Sequence, residues 1–105
     1  MAELTVGGPP DYKCSPDNGN LHVKHNGTLK VNPPTEGCTI CFSQSVNGKT
    51  IYSFPNGNKG DIDFSGIAAG TIISYCTCAY QSTCTPTPRK ADDPGHTITI
   101  DSSGK

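Results

Sequence analysis

The sequence has few of the residues that usually build a large hydrophobic core. It contains no tryptophan, one methionine and one arginine, and only 18 of its 105 residues are Ile, Val, Leu or Phe. So few large apolar residues are typical of disordered chains, but the formal net charge of −1 is too small to keep this chain expanded. The balanced charge gives no electrostatic footprint for nucleic acid or an anionic membrane. No apolar run approaches the ~20 residues needed to span a bilayer.

Cysteine is the residue that the chain has in unusual number. Six cysteines in a small chain with a weak core are typical of a secreted domain that is held together by disulfides. We therefore predict three disulfides in an extracellular or periplasmic protein that folds as a single domain over residues 1–105. Met1–Leu4 has neither the basic start nor the apolar segment of a signal peptide, so we expect a mature form. The cysteines are Cys14, Cys38, Cys41, Cys76, Cys78 and Cys84.

Short strand-like runs recur about every ten residues along the chain. Nine prolines and twelve glycines are spread between them and leave no segment that resembles a long helix. This pattern predicts an all-β fold, a two-layer antiparallel β-sandwich of about seven short strands. The expected strand segments are 3–6, 21–31 (as a hairpin), 38–44, 50–54, 61–64, 71–80 and 96–101.

Asn-Gly pairs at 26–27 and 47–48 lie within two of the expected hairpins. Asn-Gly usually forms a two-residue turn, but that turn would put the apolar residues of the flanking strands on different faces. We therefore expect three-residue loops with glycine in the left-handed conformation. Asn26 also begins an Asn-Gly-Thr glycosylation sequon, which would carry a glycan if the source is eukaryotic. The predicted register pairs Val23 with Leu29, Leu21 with Val31, Phe42 with Tyr52 and Ile40 with Phe54.

Alternation along the strands predicts the face that each cysteine occupies. Cys38 falls on the apolar face of its strand and Cys41 on the opposite face, whereas Cys76 and Cys78 share a face with Ile72. A bridge from Cys38 to the later pair would tie two central strands across the core. Six cysteines allow fifteen connectivities, and the sequence does not choose among them. The candidate pairings are Cys38 with Cys76 or Cys78, and Cys41 with Cys14 or Cys84.

The cysteines also suggest a metal-binding alternative. Cys-x2-Cys at 38–41 and Cys-x-Cys at 76–78 supply four thiolates, the number found in many structural zinc sites. The β-branched residues inside the first motif favour an extended strand over the tight turn of a zinc knuckle. We therefore expect no metal and no cofactor. His22, Asp61 and Asp63 are interpreted as solvent-facing polar residues.

Three successive segments in the second half of the chain together form one pattern. They are Ala69-Gly70-Thr71, Ile73-Ser74-Tyr75-Cys76 and Gly95–Ile100. This pattern resembles the last two strands of cupredoxin-like or immunoglobulin-like sandwiches, and the resemblance implies a two-layer β architecture. Cupredoxins hold copper with two His, a Cys and usually a Met. This chain has no histidine between His25 and His96, so the resemblance implies architecture alone.

Residues 81–95 form a long segment without a strand pattern, and such segments are often functional. Cys84 would tether its base. Arg89, Lys90, Asp92 and Asp93 are therefore the predicted binding residues. Because no convergent acid and base set is visible, we expect a monomeric, secreted, non-catalytic binding or interaction module whose partner is a protein or carbohydrate. The alternatives are a protease or hydrolase inhibitor that presents this loop, and a Cys-ligated metal-binding protein.

Overall fold

The computed structural model describes residues 2–15, 20–86 and 96–101, which form nine β-strands. These residues contain no helix that is long and apolar enough to cross a membrane. The strands are β1 (Ala2–Val6), β2 (Cys14–Ser15), β3 (Asn20–Lys24), β4 (Thr28–Asn32), β5 (Cys38–Val46), β6 (Lys49–Phe54), β7 (Gly60–Asp63), β8 (Ile72–Cys78) and β9 (Thr97–Asp101).

The strands form a four-stranded sheet, in the order β2-β1-β4-β7, and a five-stranded sheet, in the order β3-β9-β8-β5-β6. The predicted two-layer, all-β architecture is confirmed. Two of the neighbouring pairs, β1 with β4 and β3 with β9, are parallel, so the sheets are mixed rather than purely antiparallel. Parallel neighbours cannot be joined by a tight turn, and each pair accordingly joins strands that are distant in sequence.

Alternate residues of both sheets build the interior. In β4, Leu29 and Val31 are fully buried, and the residues between and beside them are half-buried. The Phe42 ring in β5 meets the Phe64 ring, just after β7, edge to face at 5.8 Å between centroids. It meets the Tyr52 ring at 5.7 Å in the same manner. Because Phe42 lies in the five-stranded sheet and Phe64 directly follows β7 of the four-stranded sheet, their rings join the two layers.

The segment predicted as a hairpin around residues 25–27 is instead a crossing between the sheets. β3 pairs with β9 in the five-stranded sheet, whereas β4 pairs with β1 and β7 in the other. The turn is tight, with Asn26 at a φ of 62° and the Gly27 N–H donating to the Lys24 carbonyl at 2.7 Å. Two strands that face one core from opposite layers have the same apolar alternation as a hairpin, so the pattern did not distinguish them.

The β5–β6 hairpin was correctly located, but its predicted three-residue loop is wrong. Val46 pairs with Lys49 across a two-residue turn, in which Asn47 and Gly48 have φ values of 52° and 82°. A register shift between Cys41 and Val46 then places Ile40 opposite Tyr52. This shift in β5 brings apolar residues of β5 and β6 opposite each other, which the three-residue loop was expected to do.

Truncation of Ile62 tests the importance of the inter-sheet core. Ile62 is fully buried in β7. We expect Ile62→Ala to destabilise the fold by roughly 2–5 kcal/mol, because it removes buried methyl groups and leaves a cavity. Ile51, an isoleucine on edge strand β6 that is 44% exposed, supplies the matched control, and Ile51→Ala should cost less than about 1 kcal/mol. Thermal and urea unfolding would measure both, and equal losses would contradict this picture of the core.

Candidate functional site

The pairing of β5 with β8 decides which cysteines face the core. Cys41 lies opposite Cys76, and Thr39 lies opposite Cys78, so these four side chains share one face of the sheet. Cys38 directly precedes Thr39 and so points to the opposite, inner face, where it is fully buried. The predicted bridges from Cys38 to Cys76 and from Cys41 to Cys84 are wrong, because Cys76 and Cys84 are bonded to each other. Cys78 lies on the opposite face of the sheet from Cys38. The outward orientation of Cys41 relative to Cys38 was predicted correctly.

The prediction that Cys76 and Cys78 face the core has a clear physical reason for its failure. Ile72 and Ile73 are adjacent and equally apolar, so the sequence does not show which of them begins the inward-facing set. The structure buries Ile73 fully and Tyr75 almost fully, whereas Ile72 is only half-buried. The cysteines that share the parity of Ile72 consequently lie on the outer face.

Four cysteines converge on this outer face, and we call them the outer cluster: Cys41, Cys76, Cys78 and Cys84. Cys76 and Cys84 form a disulfide. The Sγ atoms of Cys41, Cys78 and Cys84 all lie within 4.8 Å of one another. The Cys84 N–H also donates to the Cys41 Sγ at 3.4 Å. These three cysteine sulfurs could hold a thiophilic cation only after the disulfide is opened, because the Cys84 sulfur is bonded to Cys76.

The chain after β8 folds back over the outer face through contacts with β5. The Gln81 N–H donates to the Thr39 hydroxyl at 3.0 Å, and that hydroxyl lies 3.3 Å from the Ser53 hydroxyl. Gln81 itself has a φ of 65°, which reverses the chain. These contacts carry Cys84 to the sulfur of Cys76. The predicted disulfide tether at the base of segment 81–95 is thus confirmed.

The two remaining cysteines lie on the core side of the sheet, and we call Cys14 and Cys38 the inner pair. Both belong to the hydrophobic core, with exposures of 3% and 0%. The Cys14 Sγ is 3.5 Å from the Thr77 hydroxyl, which donates to the Tyr12 carbonyl at 2.8 Å. Cys14 therefore reaches from the four-stranded sheet to the inner face of β8.

The electrostatic environment does not activate the Cys38 or Cys78 thiol. Burial, followed by the charges of Cys14 and Cys78, raises the pKa of Cys38 to about 11. Burial, followed by the charge of and a hydrogen bond with Cys41, raises the pKa of Cys78 to about 11. A nucleophilic cysteine needs a lowered pKa and so a ready supply of thiolate. Neither thiol meets that requirement.

A second candidate site is an open cleft of about 460 Å³ beside the crossing between β3 and β4. The parallel β3–β9 pair brings His22 and Asp101 together, and their Nδ1 and Oδ1 atoms are 2.8 Å apart. Their side chains are 58% and 40% exposed, so solvent and a ligand can reach both. His22 was correctly predicted to face solvent, but its partner was missed because the two residues are 79 positions apart. The lining residues are Ala2, His22, Lys24, Gly27, Thr28 and Asp101.

Side-chain hydrogen bonds hold the turns around Asn26 and Asp63. The Asn26 Oδ1 accepts from the Gly66 N–H at 3.0 Å, and the Asn47 amide donates to the Asp63 carbonyl at 2.8 Å. The Asp63 carboxylate accepts from the backbone N–H and hydroxyl of Ser65, and the N–H bond is the main cause that lowers its pKa. Asp63 is thus used as a turn residue, on a solvent-facing surface as predicted. Asn26, the sequon residue, is exposed.

The predicted binding residues Arg89, Lys90, Asp92 and Asp93 lie outside the described residues, which include only 81–86 of that segment. No family model, curated protein or solved structure matches this chain. The cupredoxin-like or immunoglobulin-like resemblance therefore stays a prediction.

The raised thiol pKa values predict how the reduced protein responds to pH. Folded Cys38 and Cys78 keep their protons up to about pH 11, whereas unfolded thiols lose theirs near pH 9.0. Their contribution to stability is fully present below pH 9 and is lost as pH rises towards 11. Urea unfolding under a phosphine reductant at about pH 7.5 and 10.5 would measure the fall. Cys38→Val should reduce this fall in the free energy of unfolding. An unchanged pH dependence in that variant would contradict the raised pKa of Cys38.

Proposed function

We propose that this protein is a secreted, non-catalytic binding module that takes its ligand in the cleft beside the β3–β4 crossing. The observation that carries the proposal is the convergence of accessible polar groups of different charge on one open cavity. An ammonium group, an imidazole paired with a carboxylate, and a hydroxyl line it together, from Lys24, His22 with Asp101, and Thr28. Such a set supplies both donors and acceptors to a ligand.

Charge narrows the class of ligand. The Lys24 ammonium has no carboxylate partner among the described residues, whereas the Asp101 carboxylate is held by His22. The strongest unused group in the cleft is therefore a cation, which favours an anionic group on the ligand. Thr28 and the His22–Asp101 pair favour hydroxyl groups elsewhere on the same molecule. A small hydroxylated carboxylate, such as a uronic acid saccharide, satisfies both conditions.

The lining also supports binding rather than catalysis. The lining contains neither cysteine nor serine, and among the described residues no hydrogen bond joins the Thr28 hydroxyl to His22. A hydrolytic triad needs such a nucleophile within hydrogen-bond reach of the histidine. The Cys76–Cys84 bond supports secretion, because structural disulfides persist mainly in oxidising compartments.

A titration with sodium glucuronate tests the proposed site. We expect chemical shift changes in a ¹⁵N–¹H correlation spectrum that are centred on residues 22–28 and on Asp101, with much smaller changes from uncharged glucose. Lys24→Met should weaken binding by about tenfold, because a charged hydrogen bond is lost. Lys59→Met, at an exposed lysine outside the cleft, is the matched control. Equal responses to glucose and glucuronate, or unchanged affinity in Lys24→Met, would contradict the proposal.

A second candidate function is inhibition of a protease, and the Cys76–Cys84 bond favours it. That bond fixes the beginning of segment 81–95 to the central strand β8. A loop that is ordered before binding loses less conformational entropy in the complex, which is how inhibitor loops become tight. Arg89 or Lys90 would then occupy the specificity pocket of a trypsin-like enzyme.

Incubation with trypsin tests this second candidate directly. An inhibitor should suppress trypsin activity at a stoichiometric ratio, and Arg89→Ala or Lys90→Ala should abolish that suppression. Rapid cleavage after Arg89 with full trypsin activity would exclude it. This result would leave the cleft proposal untouched, because the cleft shares no residue with the segment.

A further inference from the structure

We propose that the inner pair and the outer cluster each close one further disulfide. The two bonds are Cys14–Cys38 and Cys41–Cys78, in addition to Cys76–Cys84. This connectivity goes beyond the proposed binding function and does not depend on it.

Topology selects this connectivity from the alternatives. Once Cys76 and Cys84 are joined, four further cysteines allow three pairings. Two of the three would link the inner pair to the outer cluster through the five-stranded sheet. The hydrogen-bonded backbones of β5 and β8 lie between those side chains, and a disulfide spans only about 4 Å between Cβ atoms. Only the pairing within each face remains.

Contacts in the core bring both residues of the inner pair to the same side chain, that of Thr77. The Cys14 Sγ lies 3.5 Å from the Thr77 hydroxyl, and Thr77 pairs with Ile40 across β8 and β5. Cys38 precedes Ile40 by two residues on the same inner face, so it is the diagonal neighbour of Thr77. The bond would join β2 of one sheet to β5 of the other.

Contacts on the outer face place the second pair within reach as well. The Cys41 and Cys78 Sγ atoms lie no more than 4.8 Å apart, and Cys41 adjoins the existing disulfide through the Cys84 N–H. Rotation about the Cα–Cβ bonds moves each Sγ atom by more than an ångström, which shortens this separation towards the ~2.05 Å of a disulfide. Together with Cys76–Cys84, the bond would cross-link β5, β8 and the start of segment 81–95.

Oxidation requires an acceptor for two electrons and two protons per bond, and a small-molecule disulfide such as oxidised glutathione supplies it. One cysteine thiolate attacks a sulfur of this reagent, forms a mixed disulfide and releases one glutathione thiol. The second cysteine thiolate then attacks the sulfur of the first cysteine and releases the other glutathione. Two protein thiols become one disulfide, and one disulfide reagent becomes two thiols.

Single Cys→Ser variants of the full chain, refolded with reduced and oxidised glutathione, test the assignment. Each is denatured, alkylated without reduction and sequenced by mass spectrometry to locate the labelled thiol. Cys14→Ser should label Cys38 alone, and Cys41→Ser should label Cys78 alone. Cys76→Ser is the matched control and should label Cys84. The unmodified chain should take up no label and should weigh six hydrogen atoms less than its reduced form.

Other results would overturn the assignment. Label on an outer-cluster cysteine in Cys14→Ser would show that a bond crosses the sheet. Label on Cys76 or Cys84 in Cys41→Ser would show another pairing on the outer face. The unmodified chain is also refolded with both glutathione and zinc. If native mass spectrometry then shows a retained zinc ion, and alkylation labels four thiols, the outer cluster is a metal site and not a pair of disulfides. If a variant misfolds, the unmodified chain is fragmented by electron transfer without reduction. Backbone cleavage between Cys38 and Cys41 then shows which cysteine each of them is bonded to.

Discussion

The antiparallel register between β5 and β8 is the constraint on which the rest of this structure depends. These strands lie side by side in the five-stranded sheet, and their pairing brings Phe42 opposite Tyr75 on the inner face. The same pairing brings Cys41 opposite Cys76 on the outer face. One register thus supplies the core with its aromatic side chains and assembles the outer cluster. A slip by one residue would exchange the two faces and destroy both arrangements at once.

Stability in this chain comes from a small core that is supported by cross-links. The interior relies on one or two aliphatic residues from each of several strands and on the edge-to-face contact of Phe42 with Phe64. Each fully buried aliphatic side chain contributes roughly 1.5–3 kcal/mol, so a chain with few of them gains much from a bond that restricts its unfolded state. The Cys76–Cys84 disulfide acts on a strand that already has hydrogen-bonded neighbours on both sides. Its principal effect is to hold the chain that follows that strand.

The crossing between β3 and β4 joins the fold to the candidate binding site. Because β3 lies parallel to β9 in the five-stranded sheet, residues from the first quarter and the end of the described chain become neighbours. His22 and Asp101 meet only through this long-range pairing. The turn that follows β3 needs glycine at residue 27, where an added Cβ would lie 2.8 Å from the Lys24 carbonyl oxygen. The mouth of the cleft therefore depends on the same tight turn that sends the chain to the other sheet.

The sequence by itself determined the all-β class, the position of most strands, the tether at Cys84 and the solvent exposure of His22. These features depend on local alternation, on turn residues and on composition, which are properties of neighbouring residues in the chain. Only the tertiary structure decided that 21–31 crosses between sheets, that β1 and β9 have parallel partners, and that Cys76 faces outward. Alternation reports that a strand has an apolar face, but not which layer the strand joins. It also leaves the inward parity open where two isoleucines are adjacent, as at the start of β8. Long-range pairing resolves both ambiguities, because it brings residues distant in sequence into contact.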